Sequence, residues 1–139
     1  FLLTVDHVKR WEDTHGEIGA GEWVVMRTDW DKRAHDEGLF LNADATGPHT
    51  PGPTAEVIEY LLSKGIVGWG SQCIGTDAGQ AGGMTPPFPA HNLLHKHNCY
   101  GLANLDRLPP RGAILIAAPL KIEQGTGSPI RALALVAKG

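Results

Sequence analysis

The stretch from Thr54 to Gly70, TAEVIEYLLSKGIVGWG, decides the fold class. Val57, Ile58, Leu61 and Leu62 recur at three- and four-residue steps, which sets them along one stripe of a helix over 54–64. Gly65 stands where a helix end favours a residue tolerant of positive φ. Ile66-Val67-Gly68-Trp69-Gly70 then reads as a short strand entered directly from that helix. Upstream, Glu22-Trp23-Val24-Val25-Met26-Arg27-Thr28 has the β-branched and aromatic content of a buried strand. The central block therefore runs strand, loop, helix, strand.

Working outward, Thr4 is a good N-cap and Val5, Val8 and Trp11 share a face, so 5–15 is a short amphipathic helix closed by Gly16. Residues 29–53 mix Asp, Gly, Asn, His and Pro without a period, the mark of a long loop of the kind that often carries function. A Gly-rich loop over 73–83 leads through Thr85-Pro86-Pro87-Phe88-Pro89 to a short helix over 90–97. Beyond Pro109-Pro110, strands are expected at 113–119 and 130–137, joined as a hairpin through Gly125-Thr126-Gly127-Ser128-Pro129. The fold class is mixed α and β (α/β in composition, α+β in that the strands are segregated), in one unit covering 1–139.

Composition narrows the function. The chain has 139 residues and a formal charge of −3 with its histidines neutral, and its basic residues are dispersed, which argues against nucleic acid or an anionic membrane as a partner. Ala113 to Leu120, the longest strongly apolar run, is too short to span a bilayer, so a cytoplasmic protein is expected. Cys73 and Cys99 are read as reduced thiols. The chain opens Phe1-Leu2-Leu3 without an initiator methionine, and a helix so near the start is expected to follow something.

Among residues that could line a pocket, Trp30 and Phe88 fall on loops and suit stacking against a planar substrate, whereas Trp23 and Trp69 fall on strands and suit the core. Thr76 and Asp77 are expected to form a turn by bonding nearby amides. Lys121, Glu123 and Arg131 read as strand-surface charges. His91 and His95 are four apart and share a helix face, but without a third ligand beside them.

Several segments, in order, resemble the cyclase family of metal-dependent hydrolases, the group that includes bacterial kynurenine formamidase and isatin hydrolase. These are VVMRTDWDKR from Val24, HTPGPTAEVIEYLLSKGIVGWG from His49, GTDAGQ from Gly75, AHNLLHKH from Ala90, ANLDRLP from Ala103 and APLKIEQGTGSPIRALALV from Ala118. The stretch GTDAGQAGGMTPPFPAHNLLH looks most like the isatin hydrolase branch. The resemblance implies a swivelling β/β/α fold and one or two divalent metals, Mn²⁺ or Zn²⁺. The family's main motif, His-x-Gly-Thr-His-x-Asp-x-Pro-x-His, does not occur between Phe1 and Gly139. The chain is therefore expected to be the C-terminal part of such a domain, partnered by the missing N-terminal part, inactive alone and without a catalytic residue of its own.

By the same resemblance His91 is a metal ligand; the alternative is a helix-start histidine bonding the backbone. Gln80 is either a neutral oxygen ligand or a loop tether. Ala103 stands where dinuclear formamidases carry a bridging glutamate, which implies a single metal. The implied activity is hydrolysis of a small aromatic or cyclic amide by a homo-oligomer, and the rival reading is a non-catalytic fragment that binds a partner through open sheet edges.

Overall fold

The computed structural model describes residues 1–138, in two units: Phe1–Arg107 and a second that begins at Leu108. The first contains, in order, β1 (Leu2–Leu3), α1 (Val5–His15), β2 (Trp23–Met26), α2 (Glu37–Leu41), β3 (Ala43–Asp44), β4 (Gly47–Pro48), β5 (Gly52–Pro53), α3 (Ala55–Ser63), β6 (Gly68–Ser71), α4 (Pro89–Lys96) and β7 (Tyr100–Leu102). Short 3-10 helices occupy Trp30–Arg33 and Ala81–Gly83. In the second unit β8 (Ile114–Ile116) and β9 (Leu133–Leu135) pair antiparallel, Ile114 opposite Leu135 and Ile116 opposite Leu133. No helix among the described residues is long and apolar enough to cross a membrane.

The mixed helix-and-strand class holds, but the strands are not segregated. β2, β6 and β7 form a parallel sheet in that order, with Trp23 opposite Gly68 and Gly68 opposite Tyr100. Parallel neighbours need a crossover rather than a tight turn. Here α3 lies between β2 and β6, and α4 between β6 and β7, so helices and strands interleave.

Alternation along these strands separates two faces. Val24, Met26 and Trp69 join the core built with Val57, Ile58 and Leu61 of α3 and Leu94 of α4, the last four of which, like Trp69, are fully buried. On the other face glycine makes room for rings. A Cβ at Gly68 would lie 2.4 Å from Trp23 Cζ3, and the Trp23 indole stacks on Tyr100 with centroids 6.1 Å apart. The helix stripe read from the sequence is thus the core face of α3, and Gly65 does adopt a positive φ, 78°.

α1 is fixed to α3 by a buried carboxylate. Glu12 Oε1 accepts from the Ile18 amide at 2.8 Å and Oε2 from the Tyr60 hydroxyl at 2.6 Å, with Lys64 Nζ at 3.6 Å. Burial alone would raise the Glu12 carboxyl, but these donors together outweigh it and hold it below its ordinary range.

Residues 29–53 are not the aperiodic loop expected. They hold one 3-10 turn, α2, the β3–β4 hairpin and β5, elements of two to five residues that are too short to show a period. The strands expected at 113–119 and 130–137 shorten to three residues each, which leaves Lys121, Glu123 and Arg131 outside the ladder.

Candidate active site

Because β2, β6 and β7 are parallel, the segments leaving their carboxyl ends gather at one sheet edge, the position where open α/β sheets receive ligands. Gln72, directly after β6 and buried, ties that edge together. Its Oε1 accepts from the Thr28 and Asp29 amides at 2.7 and 2.8 Å, and its Nε2 donates to Asp31 Oδ1 at 3.0 Å. Asp31 in turn receives Arg107 Nε at 3.2 Å, and the Asn104 amide donates to Cys73 O at 2.9 Å. Burial pushes the Cys73 thiol up, so it is held as an inert thiol.

Asp77 departs from the turn expected of it. Its carboxylate reaches across to α4, where Oδ1 accepts from the Ala90 amide at 2.6 Å and Oδ2 from the His91 amide at 3.1 Å. Anionic oxygen at the amides of a helix start is favourable both as a cap and through the helix dipole. Oδ2 also accepts from His91 Nδ1 at 2.5 Å, and Thr76 Oγ1 lies 3.0 Å from the same nitrogen. The Asp77 side chain is 5 % exposed and that of His91 56 %, so a buried carboxylate holds a half-exposed imidazole by its Nδ1 side.

The other residues singled out from the sequence fall as follows. Gln80 Nε2 donates to Pro48 O at 2.7 Å and to Thr46 O at 3.4 Å, tethering its loop to the β3–β4 hairpin. Trp30 is buried; its indole N–H donates to Phe40 O at 2.8 Å and the Arg33 guanidinium lies over its ring. Phe88 is about half exposed, sits at the start of α4 with φ 49°, and its ring edge faces Gly82. His95 is a tilted ring neighbour of His91, centroids 5.9 Å apart, and His97 Nδ1 bonds Leu93 O at the end of α4. Trp23 and Trp69 lie on strands as expected, but of the two it is Trp69 that enters the core, its indole donating to Thr76 O at 3.0 Å, while Trp23 is half-buried against Tyr100 on the other face.

Of the four residues expected at a site, His91 is the one hydrogen-bonded to a charged side chain. The roles of Asp77 and Gln72 were missed. Their partners lie 14 and more than 40 positions away in the chain, so no local spacing announces them.

Among the described residues no group of three or more His, Cys, Asp or Glu side chains is disposed to hold a metal ion. A hydrolytic metal takes about three protein ligands plus an open position. His91, with Nδ1 engaged by a carboxylate, has the arrangement of a ligand histidine backed by its outer partner. One imidazole held in this way is a single donor of the several such a shell would need.

The cyclase family, described as "Putative cyclase", matches residues 1–78. An isatin hydrolase of Roseibium aggregatum is 81 % identical over 99 % of the chain. Among solved structures, an isatin hydrolase bound to the product analogue thioisatinate superimposes with a TM-score of 0.96 at 79 % identity. Isatin hydrolase A from Labrenzia aggregata, bound to benzyl benzoate, does so with 0.95 at 51 % identity. Each match covers 99 % of this chain, which spans about half of each relative's own length, 54 to 55 %. With more than half of its length matched by the family and nearly all of it by these relatives, the chain belongs to the cyclase family.

Proposed function

We propose that this chain is the C-terminal part of a metal-assisted hydrolase that opens the ring amide of isatin. The observation that carries the reading is the 81 % identity to an isatin hydrolase along 99 % of the chain. In the reaction water adds to the ring amide carbonyl and the carbon–nitrogen bond breaks. The carbonyl carbon becomes a carboxylate and the nitrogen an arylamine of the same opened molecule, and one proton is released.

A divalent cation, Mn²⁺ or Zn²⁺, would polarise the carbonyl and supply hydroxide near neutral pH. On this chain His91 would be a ligand to it, steadied through Nδ1 by Asp77. Gln80 is the second candidate ligand, its amide nitrogen engaged by Pro48 O and its oxygen the donor atom. Phe88, half exposed beside α4, is the aromatic surface for the planar substrate, and Trp30 supports the wall from within its loop. The remaining ligands come from the other part of the domain. That part also suits the exposed apolar side chains of β8 and β9, such as Ile114 and Leu135, as their cover. The unpaired thiols of Cys73 and Cys99 suit a reducing compartment, the cytoplasm.

The full-length protein containing this chain, given isatin, is expected to consume its visible absorbance and form isatinate. Chelation should abolish the turnover and Mn²⁺ or Zn²⁺ restore it, with N-formylkynurenine a much poorer substrate. Absence of ring opening with either cation supplied would contradict the proposal and favour the partner-binding alternative.

A further inference from the structure

We propose that Asp77 is a positioning residue that fixes the tautomer and the aim of His91, in addition to capping α4. The inference rests on the reading of His91 as the imidazole that works at the metal.

A buried carboxylate must be compensated. Asp77 is compensated by three donors, and only two of them, the Ala90 and His91 amides, are needed for a cap. The third contact, Oδ2 to His91 Nδ1 at 2.5 Å, is the shortest of the three. A carboxylate accepts and does not donate, so the hydrogen of the neutral ring resides on Nδ1 and the lone pair on Nε2. The Thr76 hydroxyl, 3.0 Å from the same nitrogen, can either donate or accept and so selects neither tautomer.

The segment that carries the anchor is packed on several sides. A Cβ at Gly52 would lie 2.1 Å from the Ala78 nitrogen, so β5 is pressed against the backbone that carries Asp77. The Gly79 amide donates to Thr50 O at 3.0 Å and the Trp69 indole to Thr76 O at 3.0 Å. On the β7 side, a Cβ at Gly101 would lie 3.2 Å from Thr76 Cγ2. Asp77 is therefore held to β5, β6 and β7 together, and it refers the half-exposed His91 ring to the sheet edge.

The test uses the full-length protein and reads three quantities. In the wild type, long-range nitrogen–proton NMR of the His91 ring should show the hydrogen on Nδ1. In Asp77→Asn the amide can present its N–H to Nδ1, moving the ring hydrogen to Nε2. Affinity of that variant for Mn²⁺ or Zn²⁺ should fall by about ten- to a hundredfold. kcat for isatin should fall with KM little changed, and Asp77→Glu, which keeps the acceptor, should recover part of the loss. A wild-type ring with its hydrogen on Nε2 would overturn the proposal even if the variants did not fold, as would an Asp77→Asn protein with unchanged metal affinity. The NMR and metal measurements need no substrate, so they stand apart from failure of the isatin assignment.

Discussion

His91 and Glu12 show what a single residue discloses in sequence and what it withholds. The histidine in the first turn of a short helix was legible as a candidate, but its carboxylate partner lies within the Gly-rich loop on the far side of a 3-10 turn, where no periodicity links the two. Glu12 was read only as a member of an amphipathic helix, yet it is buried against Tyr60, whose hydroxyl is pushed up mainly by donating to it. Glu12 is held below its unfolded value, so it stabilises the fold above the ordinary carboxylate range and loses that contribution as pH falls through its folded value. Glu12→Gln is expected to cost roughly 1.5–3 kcal/mol at neutral pH, the worth of hydrogen bonds to a charged group. Melting curves of the two proteins should converge on acidification; a gap independent of pH would refute the role given to this carboxylate.

At the scale of elements, helices were read well and short strands poorly. α1 and α3 each carry an apolar stripe over two turns or more, which a periodic pattern can register, whereas β1, β3, β4 and β5 have two residues each. β5 exists because Leu2 and Leu3 pair with Gly52 and Pro53 in parallel, a contact some fifty residues apart that no window contains. That strand also carries the tightest approach to the candidate site. Gly52→Ala would drive its methyl group into the Ala78 backbone, and overpacking of this kind costs about 1–3 kcal/mol or more. Displacement of 77–80 should lower metal affinity along with stability in the full-length protein. In α3, Leu61→Ala removes a fully buried side chain and should destabilise by about 2–5 kcal/mol while leaving metal affinity unchanged. A Gly52→Ala protein as stable as wild type would show that the segment gives way easily.

For the molecule as a whole, six separated segments carried the family assignment, and the family match with its isatin hydrolase relatives confirms it. The interleaved parallel sheet was not legible, since three residues separate β7 from α4 and β7 is itself only three residues long. Ala103, just beyond β7, stands where the family resemblance implies a bridging glutamate in dinuclear relatives, and on that reading the full-length protein is expected to bind one equivalent of metal. The central claim is that His91 supplies part of that metal's shell. Calorimetric titration of the metal-free full-length protein with Mn²⁺ or Zn²⁺, beside its His91→Ala variant, tests it directly. The account predicts saturation at one equivalent and an affinity about ten- to a hundredfold weaker in the variant; equal affinity in the two proteins would contradict it.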